Sequence, residues 1–249
     1  MNINPKNSEQ IKYMRYAGKI WKETIEILKD HIQEGITLLE LDALAEATIR
    51  SKGAVPAFKG FHGFPATLCT MLNNEVVHGI PDSRKIQNGD LLTIDGGCIW
   101  KGWYSDAAFS VIVGGDEKNE KRAKFSRVVY QALQNGCKAA KTGNRLGDIG
   151  FAIEQTITKA GYSICKEYTG HGIGREMHEE PAVYNYGKPK TGIRLKEGMT
   201  ICIEPIVAMG NPKVKVLQDG WTVVTVDGKD ACQWEHQGVV TKNGLDIFV

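Results

Sequence analysis

The chain has 249 residues, with 31 Lys and Arg against 29 Asp and Glu, a formal net charge of +2. Its 42% apolar and 24% charged composition is that of a globular protein and excludes disorder, which needs low hydrophobicity and high net charge. The near-neutral balance argues against a dedicated nucleic-acid or membrane-surface binder, and no run approaches the roughly 18 apolar residues of a membrane helix.

Residues 8 to 30 read as a helix, because Ile11, Met14, Ala17, Trp21, Ile25 and Leu28 recur at spacings of three and four and so share a face. Thr37 followed by Glu40 forms a capping box that opens a second helix through Ile49. From 54 to 113 the texture changes to short β-rich runs, of which LLTID and FSVIV are predicted strands. A charged loop, GGDEKNEKRAK, precedes a helix carrying Phe125, Val128, Val129, Ala132 and Leu133. Another helix is expected from about Leu146 to Ala160, and β-rich texture then runs to the C-terminus. Six cysteines (Cys69, Cys98, Cys137, Cys165, Cys202, Cys232) form no CxxC pair. With no secretory signal at the N-terminus they read as reduced thiols of a cytoplasmic protein.

Helices, strands, helices, strands is a repeated order. His78-Gly79-Ile80 recurs as His171-Gly172-Ile173, and Gly89 to Asp95 is mirrored by Gly198 to Glu204: each a Gly turn, a short apolar strand and a carboxylate six residues on. Two similar α/β halves, roughly 8–115 and 116–249, are expected to face each other within a single catalytic domain spanning 1–249.

Asp95 and Glu204 each follow an apolar strand, a costly place for an unpaired charge. Asp106 lies eleven residues after Asp95, so a hairpin turning near Lys101-Gly102 would set the two side by side. Glu235, in CQWEHQGVV, reaches Glu204 through a second hairpin. Four converging carboxylates repel unless they are protonated or bridged by cations. His171, in the glycine-rich TGHGIGREMHEEP, adds a nitrogen donor. His78 and His178 share such surroundings, whereas His31 on a polar helix end and His62 in a loop read as surface residues. Oxygen-dominated ligation with one imidazole suits Mn²⁺, Fe²⁺, Co²⁺ or Zn²⁺ without any thiolate. Bridging carboxylates favour two such ions, an arrangement used for hydrolysis. On these grounds alone any divalent-metal hydrolase fits, a phosphoesterase included, although only Arg175 stands close in sequence to neutralise a phosphate.

NEVVHGIPD, LLTIDGG followed by SDAAF, GHGIGREMHEEP, TICIEP and WEHQGVV occur in the order found in methionine aminopeptidases, and the chain resembles that family over nearly its whole length. The resemblance implies an α+β pita-bread fold, with two pseudo-symmetric halves and central antiparallel sheets around a dinuclear metal site. It implies Asp95, Asp106, His171, Glu204 and Glu235 as ligands of two divalent metal ions (Co, Mn, Fe or Zn), with Asp106 and Glu235 bridging both. Glu204 matches the residue that assists proton transfer, and His78 and His178 match histidines that contact substrate and stabilise the tetrahedral intermediate. Phe58, Phe61, Phe64, Cys69, Met177 and Trp221 match the walls of a methionine side-chain pocket.

Glu204 and Glu235 stand 31 positions apart, too close for the helical insertion of type II enzymes, so the resemblance is to the minimal bacterial type I form. It implies removal of the initiator methionine from nascent proteins with a small second residue, by attack of a metal-activated hydroxide on the peptide carbonyl. The implied partner is a peptide or nascent-protein N-terminus beginning with Met, with a transient ribosome contact; no nucleic-acid substrate or membrane is expected, and no apolar surface helix asks for a second copy, so a monomer is expected. The alternatives are an Xaa-Pro peptidase of the same fold and a non-catalytic pita-bread binding protein. Several positions depart from the family pattern: Gly97 where a hydroxyl residue is usual, Ala107 where Thr or Cys is usual, Gln237 where Thr is usual, Phe61 and Phe64 for Tyr, and Met177 for Phe.

Overall fold

The computed structural model of the chain describes residue 3 and residues 5–249. Helix α1 (Ser8–His31) opens on a capping box in which Asn7 and Gln10 each accept the other's backbone N–H at 2.9 Å. Its apolar stripe, including Met14, Ala17, Trp21 and Leu28, is buried as the spacing predicts. Helix α2 (Leu38–Ser51) begins on the predicted Thr37–Glu40 box. Together they cover a three-stranded antiparallel sheet of Leu68–Leu72, Leu91–Gly96 and Ala107–Ile112, with Leu91–Gly96 in the middle. Trp21, Leu28, Leu38, Leu41, Leu68, Leu92, Ile94 and Phe109 form one core between these layers.

The second pair of helices repeats the arrangement. Helix α3 (Glu120–Ala139) starts inside the charged stretch, so residues 120–124 form its first turn and residues 114–119 remain the loop before it. Helix α4 is Leu146–Lys159. They pack on a five-stranded sheet with Thr200–Ile203 at its centre, between Gly170–Gly172 and His236–Val240, and enclose a core containing Phe125, Leu133, Ile149, Ile153, Ile201 and Ile203. Both strands that carry the mirrored Gly-to-carboxylate motif are therefore central strands under a helix pair. Among the described residues no helix is long and apolar enough to cross a membrane. All six cysteines are buried free thiols.

Candidate active site

Each acidic residue reaches the space between the halves for a local reason. Asp95 sits in the strand Leu91–Gly96, opposite Ala108. After that strand the chain makes the small hairpin Cys98–Trp100 and Trp103–Tyr104, turning at Lys101-Gly102 where both residues have positive φ (49° and 74°). This returns Asp106 beside Asp95, as the spacing predicts. Asp106 lies just before the strand Ala107–Ile112, and the Trp21 indole of α1 fixes that strand's start by donating to the Ala107 carbonyl at 3.0 Å.

Glu204 and Glu235 sit in facing interruptions of two paired strands. Ile203 pairs with His236 and Ile206 with Gln233, but no ladder joins Glu204-Pro205 to Trp234-Glu235 between them. Pro205 has no N–H to offer a neighbour, so the ladder opens there and both carboxylates point into the gap.

His171 completes the cluster. Its Nδ1 lies 2.9 Å from the Gly172 carbonyl and must donate to it, leaving Nε2 as a lone pair 3.5 Å from Glu204 Oε1 and 3.6 Å from Asp106 Oδ2. Burial, then nearby His178, pushes its pKa to about 3, so the ring is neutral and a competent ligand.

Burial pushes the Asp95 carboxyl up to about 7. Asp106, Glu204 and Glu235 are raised well above the ordinary range, first by burial and then by the charges of the neighbouring carboxylates, Asp95 included. Asp95 Oδ1, Asp106 Oδ1 and Glu235 Oε1 are buried without any hydrogen-bond partner. Orphaned carboxylate oxygens, mutual repulsion and an imidazole lone pair turned toward carboxylates together describe a site built for cations. The residues fit divalent metal ions.

Two neighbours were not legible as site residues. Cys202 is fully buried, and its sulfur lies within 4.8 Å of donor atoms of Asp106, His171 and Glu235. Gln233 points Nε2 at Asp95 Oδ2 (3.4 Å) and Glu204 Oε2 (3.5 Å), linking a carboxylate from each half. Each stands two residues before a site glutamate, and the period-2 alternation of strands is the signal that could have found them.

A cavity of about 450 Å³ opens beside the carboxylates. Phe58, Phe61, Phe64, Cys69, Met177 and Trp221 line it together with His78 and His178. Phe64 and Trp221 meet edge to face at 5.1 Å, and Phe61 meets the His178 ring at 5.3 Å. His178 lies across His171 at 4.4 Å, whereas His78, in left-handed backbone (φ 59°), faces Tyr168 and Trp221. The pKa of each histidine is lowered from the ordinary imidazole value, mainly by loss of surrounding water, while both residues remain exposed at the cavity. His62, read from sequence as a loop residue without a role, also lines the cavity, packed on Phe61 at 4.3 Å. Arg175 is not part of the lining; its guanidinium lies over Trp103 and donates to the Lys101 and Gly102 carbonyls.

Comparison with known proteins supports the same kind of centre. The chain is 44% identical to a methionine aminopeptidase of Clostridium perfringens over 98% of its own length and 97% of the relative's. It is 43% identical to methionine aminopeptidase 1 of Bacillus subtilis, with the same coverage. The crystal structure of methionine aminopeptidase from Rickettsia prowazekii superposes with a TM-score of 0.96 at 40% identity, covering 99% of both chains. Its architecture is thus that of the pita-bread enzymes, as the resemblance implied. The sequence pattern of metallopeptidase family M24 matches residues 12–242, and with near-complete coverage of relatives at this identity the chain belongs to metallopeptidase family M24.

Proposed function

We propose that this protein is a type I methionine aminopeptidase, which removes an N-terminal methionine when the next residue is small. The observation that carries this reading is a single cavity lined both by the five candidate metal donors and by three Phe, Cys69, Met177 and Trp221. A thioether packs favourably against aromatic rings, and a pocket walled in this way selects one unbranched apolar side chain at the N-terminus.

Asp95, Asp106, His171, Glu204 and Glu235 would hold two divalent ions. Such ions supply Lewis acidity and make water nucleophilic at neutral pH. The apolar walls take the methionine side chain and fix the scissile carbonyl beside the carboxylates. Glu204, steadied through Oε2 by Gln233, takes the proton of the attacking water and returns it to the leaving amine. His178 and His78, whose pKa values are lowered by loss of surrounding water, present ring N–H groups from the cavity wall to the oxyanion oxygen that forms at the carbonyl.

Filled ligand positions count against a binding-only protein, and Arg175, turned away from the cavity, counts against a phosphoesterase. The buried reduced thiols fit a cytoplasmic enzyme, acting as a monomer on free or ribosome-borne N-termini. The test is release of methionine from Met-Ala-Ser and Met-Pro peptides by metal-stripped protein resupplied with Mn²⁺, Co²⁺, Fe²⁺ or Zn²⁺. Metal-dependent release from Met-Ala-Ser, absent in Glu204→Ala, is expected. Preference for the Met-Pro peptide would favour the Xaa-Pro reading, and no release with any metal from folded protein would overturn the assignment.

A further inference from the structure

Asp106 and Glu235 come from opposite halves of the chain, yet their segments run past each other as a short antiparallel seam. The Glu235 N–H donates to the Ala108 carbonyl at 2.9 Å. Continuing that register by two residues sets Gln237 against Asp106. Here no backbone-to-backbone bond is available, because the Gln237 N–H already donates to the Val249 carbonyl (3.1 Å) and the Gln237 carbonyl accepts from Phe248 N–H (2.8 Å). The Gln237 side chain makes the connection instead. Its Oε1 accepts from Asp106 N–H at 3.3 Å, and its Nε2 donates to the Tyr104 carbonyl at 3.1 Å. The residue is completely buried with both ends of its amide satisfied.

The same segment is gripped from its other side. A Cβ placed on Gly97 would lie 1.9 Å from the Ser105 carbonyl oxygen, so only glycine lets Ser105-Asp106 settle this closely onto the preceding strand end. Ser105 N–H also donates to the Cys98 carbonyl at 2.8 Å. Residues 104–106 therefore lie between a backbone surface at Gly97 and a side-chain amide at Gln237. The amide belongs to the strand that carries Glu235.

We infer that Gln237 is a positioning residue for the metal centre: its side-chain amide locks Asp106 in register with Glu235, so that two carboxylates from different halves address the same pair of ions. This rests on the metallopeptidase reading of the site. Gln237 touches neither substrate nor the reacting atoms and acts through the backbone of Asp106. Groups that orient metal ligands from behind typically carry 10- to 100-fold in metal affinity or activity.

The test is Gln237→Met, which keeps length and apolar bulk but can neither accept from Asp106 nor donate to Tyr104. Stripped wild-type and variant protein are titrated with Mn²⁺ by calorimetry, Mn²⁺ pairs are examined by electron paramagnetic resonance for spin coupling, and kcat and KM are measured on Met-Ala-Ser. The variant is expected to bind Mn²⁺ about 10- to 100-fold more weakly and to lose coupling between paired ions. Its kcat should fall with little change in KM. A variant with a lower melting temperature but wild-type metal affinity, coupling and kcat would show Gln237 to be only a packing residue, and would overturn the inference. If Gln237→Met does not fold, amide hydrogen exchange of the metal-free wild type decides: the Asp106 N–H is expected to be protected, and exchange there at the rate of an open loop overturns the inference. Failure of the wild type itself to bind metal would overturn the metallopeptidase reading and this inference with it, whereas equal binding by wild type and variant would remove only the inference.

Discussion

Cys69 and Asp95 stand directly opposite each other in the antiparallel register of Leu68–Leu72 and Leu91–Gly96. One is a wall of the side-chain cavity and the other a carboxylate of the proposed metal centre, so a single strand pair sets the distance from pocket to scissile bond. Enlarging Cys69 should shorten the pocket without touching the donors. Cys69→Leu is expected to lower kcat/KM for Met-Ala-Ser by about 10-fold or more, in line with the worth of added methylenes in an apolar pocket. Mn²⁺ affinity in a chelator competition should stay at the wild-type value. Equal losses in both measurements would mean that the pocket wall and the metal centre are not separable in this way.

Stability of the metal-free protein should fall as pH rises toward and through neutrality. Burial holds the Asp95 carboxyl up at about 7 in the folded state, and Asp106, Glu204 and Glu235 are raised well above their ordinary values, whereas all four are ionised in the unfolded chain at about pH 4 to 5. The folded state therefore holds more protons, and linkage makes stability decline with increasing pH. Histidines held neutral, such as His171, oppose this slope only below about 6.5, where the unfolded imidazole is still protonated. The clean window therefore opens at about pH 6.5, above the histidines, and runs up through the Asp95 value of about 7, below the range in which unfolded thiols ionise. Melting curves in chelator should shift downward across that range. Added Mn²⁺ should flatten the trend and release protons on binding. A melting temperature in chelator that is flat or rising over the window would contradict this account of the cluster.

Much of this site was legible in the sequence because its carboxylates lie on a repeated local motif. A Gly turn and an apolar strand delivered Asp95 and Glu204, and the Lys101-Gly102 turn that brings Asp106 back was readable from residue types alone. The sharper roles, including the separation of Glu204 from the bridging pair, came from family resemblance. What stayed hidden depends on contacts distant in sequence. Gln233 and Cys202 share a strand face with Glu235 and Glu204 by simple alternation, but only the fold brings those two faces together at the site. His62 looks like a loop residue until Phe61 packs on it beside the cavity. Gln237 stood out only as an unusual residue type, since its bonds reach back 131 and 133 positions along the chain.

Glu204 offers a way to separate catalysis from folding. Glu204→Gln keeps the size of the side chain and removes its charge and its ability to carry the proton. General acid–base groups contribute roughly 10²- to 10⁴-fold, and a loss of that order in kcat is expected. The same substitution removes one of four mutually repelling buried carboxylates, so the metal-free variant should melt at a higher temperature than wild type at pH 7.5 or above, with the gap closing toward pH 5. Paired activity and melting measurements across pH check both halves. Lost activity with a lower melting temperature at every pH would mean that Glu204 supports the fold rather than straining it.

Gly97 should be the least replaceable small residue near the site. The atoms that a Cβ would meet there are backbone: the Ser105 carbonyl oxygen at 1.9 Å, its carbon at 2.9 Å and the Asp106 Cα at 3.3 Å. None can rotate away as a flexible side chain would, so Gly97→Ala must push the 104–106 segment off its seat. Overpacking typically costs about 1–3 kcal/mol, or roughly 2–12 °C in melting temperature for a chain of this size. The displacement also drives Asp106 against the Gln237 amide and out of its register with Glu235, so Mn²⁺ affinity should fall along with stability. Ala107→Ser, at the next strand's start, is the control: it adds a hydroxyl at a buried position but leaves the Gly97–Ser105 approach untouched. It should cost stability with a smaller effect on metal affinity. Calorimetric Mn²⁺ titration of both variants beside their melting curves distinguishes the cases. Gly97→Ala protein with unchanged metal affinity would show that Asp106 keeps its place when the segment beneath it moves.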